Sequence, residues 1–134
     1  MATFYVARST ALGKWASDVG LSKHVFKIGV TDEDPKALVA AGWAGETDWV
    51  LVKKQAVDDL SEEEAIRRLA LREKLIEPRL YPKLRGAEGV FKVVPAHVES
   101  RRLVQRALAG EVERVVTKLK PGDFADYLIQ SAVK

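Results

Sequence analysis

The run His24-Val25-Phe26-Lys27-Ile28-Gly29-Val30-Thr31 limits the possible folds of this chain more than any other stretch. Its short apolar alternation is that of a strand, and Gly29 marks a break or a close approach in it. Upstream, Thr3-Phe4-Tyr5-Val6-Ala7-Arg8 is a second run of strand-forming residues. The two read as neighbouring strands, the first ending in Arg8 and the second breaking at Gly29. If they pair, a phenol (Tyr5) and an amine (Lys27) project near one another at the surface of one sheet.

The rest of the chain supplies elements to cover that sheet. Residues 9–23 contain Gly13, Gly20 and several serines, which is loop chemistry, though longer than the roughly 2–5 residues of a hairpin connection. Trp15 within it is either a plug onto the core, the favoured reading, or an exposed contact residue. Asp34, Pro35 and Gly42 signal both ends of a short helix around Lys36-Ala37-Leu38-Val39-Ala40-Ala41. Residues 48–57 read as a third strand, apolar enough to lie centrally. Ser61 opens a helix expected to run to about Ile76, with Ser61 and Glu64 as a capping box. Pro78 and Pro82 interrupt the pattern, and Gly89–Val94 is a fourth strand. A helix from Pro95 stops near Gly110. Val112, Val115, Val116 and Leu119 carry a helical period that ends at Pro121-Gly122. Asp123 is positioned to cap a last short helix through Ile129, with Phe124, Tyr127 and Leu128 on its apolar side.

Strands and helices mix without strict βαβ alternation. That pattern favours an α+β fold, a small, largely antiparallel sheet flanked by helices. Residues 1–95 form the expected core, with 96–134 a helical extension packed on it as part of a single domain. A chain of 134 residues is long enough to bury a core without staples. It has no cysteine, which excludes disulfides and thiolate metal sites. No apolar run is long enough to cross a bilayer and no signal-peptide layout opens the chain, so a cytoplasmic setting is the expectation. The net charge of +3 permits a nucleic-acid partner without arguing for one, because basic residues alternate with acidic ones.

Several chemistries are disfavoured outright. The two histidines, His24 and His97, have no metal-pair spacing, no phosphate-cradling glycine loop occurs, and nothing marks a nucleophilic serine. The helix from Ser61 is more informative. Glu64, Arg68, Leu71, Arg72 and Leu75 share one side, flanked by Ala65, Leu69 and Ile76. Glu64 therefore either caps the helix and pairs with Arg68, or holds a metal ion over a cleft with Arg68 and Arg72 meeting phosphates. Tyr5 and Lys27 likewise have two readings. One is a half-buried amphipathic ring beside an edge-strand charge; the other is a pair that orients a water and a phosphate.

Phe4-Tyr5-Val6, then Lys27-Ile28-Gly29-Val30-Thr31, then a helix, a strand and a helix bearing Glu64, together resemble the GIY-YIG nuclease superfamily. The likeness is greater to the phage-derived branch whose second motif reads KIG-x-T, and it extends over residues 3–94, including Glu88-Gly89-Val90-Phe91-Lys92-Val93. The resemblance implies an endonuclease-like hydrolase of nucleic-acid phosphodiesters, with DNA the expected class of partner. It implies that Tyr5 helps activate the attacking water, that Lys27 stands at the second motif's tyrosine, and that Glu64 binds one Mg²⁺ or Mn²⁺. Arg8, Lys27, Arg68 and Arg72 are the candidate nucleic-acid contacts, with Arg8, Arg68 or Arg72 as substitutes from another direction for the family's helix arginine. Arg68 stands where relatives often carry a histidine. Two departures stand out: neither Ala37 nor Leu38 supplies the arginine expected on the helix after Thr31, and the segment between the motifs is longer than usual. Losing such a cation costs orders of magnitude in rate by analogy with other transition-state donors, which motivates the first of two alternatives, while aromatics able to anchor an interface motivate the second. One is an inactive nucleic-acid-binding module on the same fold. The other is a protein-interaction domain using Trp15, Trp43 and the C-terminal helices.

Overall fold

The computed structural model describes residues 2–84, 87–108 and 119–133. Five strands, β1 (Ala2–Arg8), β2 (Val25–Thr31), β3 (Val50–Val57), β4 (Lys74–Leu75) and β5 (Val90–Lys92), form one antiparallel sheet in the order β3-β1-β2-β5-β4. The helices are α1 (Thr10–Asp18), α2 (Pro35–Ala41), α3 (Glu62–Ala70), α4 (Pro95–Leu108) and α5 (Pro121–Val133). The fold is therefore α+β, as the mixed pattern implied.

Alternation along the two central strands sorts their side chains onto two faces. Phe4, Val6, Phe26 and Ile28 pack with Ala65 and Leu69 of α3 and with Phe124, Leu128 and Ala132 of α5. Ala7 and Val25 point the other way, among Leu12 and Ala16 of α1, Val39 of α2 and Trp49. Burying each large apolar side chain contributes about 1.5–3 kcal/mol, so the α5 residues are part of the main core. Both ends of α2 are those its sequence signals: Asp34 caps by accepting from Lys36 N at 3.0 Å, and Gly42 closes the helix.

Three expectations are corrected. Residues 10–18 are helix α1, not loop. Ser9 caps it by accepting from Leu12 N at 3.1 Å, and Gly13 serves packing, because a Cβ there would lie 3.0 Å from Lys23 O. Strand β3 is an edge, not a central strand; Lys53, Lys54 and Gln55 are exposed, and lysines on an edge discourage further pairing. Helix α3 stops at Ala70 instead of continuing to Ile76. Its end tightens as Leu71 N donates to Arg68 O, Leu71 is left 83% exposed, and Lys74–Leu75 turn back to pair with β5. The helical period expected at Val112, Val115 and Val116 lies outside the described residues. Among the described residues, no helix is long and apolar enough to cross a membrane.

Candidate functional site

Antiparallel register sets Tyr5 opposite Gly29 and Ala7 opposite Lys27. The missing side chain at Gly29 is a steric requirement. A methyl there would sit 2.6 Å from Glu62 Oε1 and closer still to the Tyr5 hydroxyl. The phenol thus lies across the glycine, and Lys27 Nζ comes to 5.6 Å from the Tyr5 ring centre. Trp43 covers the pair: its indole stacks on Tyr5 at 6.0 Å and 13°, and its ring centre is 5.1 Å from Lys27 Nζ. Trp49 in turn meets Trp43 edge-on at 5.1 Å and donates through Nε1 to Trp43 O at 2.9 Å. Tyr5 is 3% exposed and Lys27 4%.

The carboxylate that completes this cluster is Glu62. Strand β5 pairs with β2 as far as Lys27 and Gly89 O takes the Ile28 N–H at 2.9 Å, so the outer edge of β2 beyond Ile28 needs another acceptor. Glu62, the first residue of α3, supplies it, accepting from Val30 N at 3.2 Å. Among the described residues, its Oε2 has no hydrogen-bond partner. Burial chiefly, and the Glu62 charge next, push the Tyr5 phenol up to about 12. Burial pulls Lys27 down to about 8, opposed by Glu62 and Glu88. Cation–π attraction and a 2.8 Å bond to Ile28 O give its ammonium partial compensation. At neutral pH the cluster therefore presents a protonated phenol and an ammonium beside the Glu62 side chain.

Glu64 does not join it. Arg67 grips both Glu64 oxygens at 2.9 and 2.6 Å, and Arg68 Nε adds a bond at 3.1 Å, holding that carboxyl below the usual carboxylate range. Arg68 also donates to Ala132 O at 2.8 Å, satisfying a carbonyl near the end of α5. Arg72 lines a separate hollow with His97 and Arg101, beside Tyr127. Arg8 turns toward α1, its Nη2 3.4 Å from Thr10 Oγ1, and lines a basic cavity there. The structure thus unites Tyr5 with Lys27 and disperses Arg8, Glu64, Arg68 and Arg72. Trp15 and Trp43 are half-buried in the second core cluster, with Trp15 edge-on to Tyr81 at 5.8 Å.

Sequence reasoning missed Glu62 and Glu88 as members of this cluster, and singled out Trp43 only as a protein-contact residue. The run Glu62-Glu63-Glu64 offers three carboxylates, and the capping box drew attention to the third. A sharper signal exists: Glu62, Ile66 and Leu69 fall at i, i+4 and i+7, the stripe that meets the sheet. A single divalent cation fits Glu62 better than Glu64, because one Glu62 oxygen is unbonded whereas both Glu64 oxygens are held by guanidinium. Among the described residues, no group of three or more potential ligands converges, so such a cation would complete its shell with water and phosphate oxygens, as Mg²⁺ commonly does. No family model, curated protein or solved structure matches this chain.

Proposed function

We propose that the chain is a GIY-YIG-like hydrolase of nucleic-acid phosphodiesters whose chemistry runs at Tyr5, Lys27 and Glu62. One observation carries the reading: a phenol and a carboxylate from two elements meet over Gly29, and an ammonium from a third lies beside the phenol ring. Lys27 is the cation of the site among the described residues, and it stabilises charge developing on the phosphoryl oxygens. With a pKa of about 8 it holds its proton at neutral pH and lies close enough to neutrality to pass that proton to a leaving oxygen. Tyr5 keeps its own proton, so it orients the attacking water and does not act as a pre-ionised base, and the water's proton passes to solvent as the leaving oxygen takes one from Lys27. Glu62 would hold Mg²⁺ or Mn²⁺, which supplies Lewis-acid polarisation of a phosphoryl oxygen. Trp43 must move off Tyr5 for a substrate to enter.

The test is cleavage of plasmid, branched and single-stranded DNA with either cation. Glu62→Gln should lower the rate at least about 100-fold, the scale of losing one transition-state stabiliser, while Glu64→Gln stays within a few-fold. The rate should fall as pH rises past about 8, where Lys27 loses its charge. Equal sensitivity to both glutamine variants would overturn the assignment.

The Trp43 stack favours a second reading, a module that holds nucleic acid without cutting it, because it leaves Tyr5 and Lys27 almost wholly covered. That reading expects no cleavage under any metal, together with binding that weakens steeply with salt. A flat salt response would count against a nucleic-acid partner altogether.

A further inference from the structure

Beyond the Tyr5–Lys27–Glu62 cluster, at the far end of β1 and the start of β2, lies a cavity of about 460 Å³. That is within the range of small-ligand sites. Arg8, Lys14, Lys23 and His24 line it, and among the described residues no carboxylate does. Among the described residues, none of the three cations has an ion-pair partner, so their charges repel one another unless an anion is shared between them. The backbone of α1 does not provide the attraction. Asp48 already accepts from Ala11 N at 2.9 Å and bonds Ser9 Oγ, while Ser9 Oγ takes the Leu12 N–H. The side-chain cations carry it.

The lining of the same cavity also includes aromatic rings. His24 stacks on Phe124 at 5.1 Å and 14°, and Phe26 lies against Phe124 at 5.1 Å and 22°. Phe26 and Phe124 are buried, whereas His24 is half-buried and forms the accessible end of the column. Burial, then the Lys23 charge, lowers the His24 pKa, so a neutral flat ring faces the hollow at physiological pH. Ser9, Thr10 and Ser17 add hydroxyls to the lining.

A flat ring and a cluster of unpaired cations in one cavity match a ligand that is aromatic at one end and anionic at the other. We infer that this cavity is a nucleotide site, taking a 5′-phosphorylated nucleoside with its base against His24 and its phosphate among Arg8, Lys14 and Lys23. The ligand is either a free mononucleotide or the 5′-phosphorylated end of a strand, which share this chemistry. The site stands whether or not the chain cleaves phosphodiesters.

Calorimetric titration of the full chain with 5′-AMP, adenosine, inorganic phosphate and a 5′-phosphorylated dinucleotide tests it. AMP should bind at least ten-fold tighter than adenosine and than phosphate. The double variant Lys14→Glu, Lys23→Glu should lose at least ten-fold in AMP affinity; both lysines are exposed, and an unchanged thermal melt would show the fold intact. Lys54→Glu, on the edge strand, should bind AMP as the parent does, and AMP binding is read without cleavage, so a failure here is distinguishable from a failure of the hydrolase reading. A dinucleotide bound as tightly as AMP identifies a strand end; one bound ten-fold more weakly identifies a free mononucleotide. AMP binding no tighter than inorganic phosphate, or unaffected by the double charge reversal, would overturn the proposal.

Discussion

Lys27 is the residue at which structure and solvent are most opposed, and its titration can be followed in stability. Its pKa is about 8 in the folded chain against an ordinary 10.5, so between those values the unfolded chain binds more proton. Stability linked to Lys27 is accordingly complete above the unfolded value and lost as pH falls through about 8. At pH 7 that loss is on the order of 3 kcal/mol. Lys27→Met should remove it, making the protein more stable at pH 7 and flattening the rise between pH 8 and 10 in urea melts. Tyr5 works in the opposite sense. Its phenol is raised from 10.0 to about 12, so its contribution is full below pH 10 and lost toward 12. Gly29 sets the third constraint. Gly29→Ala forces a methyl against the Tyr5 hydroxyl and Glu62 Oε1, and overpacking of this kind costs about 1–3 kcal/mol. The melting midpoint should fall, and tyrosine fluorescence should report a displaced phenol.

At the scale of elements, α1 and α3 show how capping and burial compete. Both are capped by serine, yet only the second was legible, because Ser61 precedes three acidic residues whereas Ser9 precedes Thr10-Ala11-Leu12-Gly13. Ser9 also binds Asp48, joining α1 to the approach to β3. Ser9→Ala should cost about 1 kcal/mol, and Asp48→Ala a comparable amount through the same cap, with the double variant less than additive. The end of α3 is decided by Glu73, just beyond the last helical turn. Its side chain is buried, and it accepts from Val94 N at 2.8 Å and Tyr127 OH at 2.8 Å, with His97 Nδ1 at 2.6 Å. Extending the helix to Ile76 would withdraw that carboxylate from three partners and dissolve the β4–β5 pairing. Glu73→Leu should therefore be strongly destabilising, since it strands the Tyr127 hydroxyl and the Val94 amide at about 1–3 kcal/mol each.

For the molecule as a whole, the C-terminal helix is the decisive piece. Phe124, Ala125, Leu128 and Ile129 belong to the same packed cluster as Phe4, Val6 and Phe91 from the sheet. Lys53 on β3 and Asp126 on α5 add a 2.6 Å ion pair that is half exposed and worth little. Phe124→Ala should thus cost about 3–5 kcal/mol, and the loss should appear in one cooperative unfolding transition followed by any probe. A separate early transition for α5 would contradict its membership of the core. Phe124 also ends at the basic cavity, so the same variant should weaken AMP binding wherever the protein remains folded.

Local chemistry alone determined much of this protein. Alternation gave the two central strands, Asp34, Pro35 and Gly42 gave both ends of α2, and Ser61 gave the start of α3. These features depend on neighbours within a turn or a strand repeat, which the chain carries in its order. Tertiary structure alone decided which of three consecutive glutamates meets Tyr5 and Lys27, that β3 lies at an edge, and that a glycine- and serine-bearing segment becomes α1. Each of those outcomes turns on a distant partner: the open edge of β2 for Glu62, the uncovered side of β1 for β3, and the Lys23 backbone that Gly13 allows α1 to approach. The physical reason is one of range. Propensity and periodicity act over a few residues, whereas burial and unsatisfied backbone groups select among the remaining options only when the chain has closed on itself.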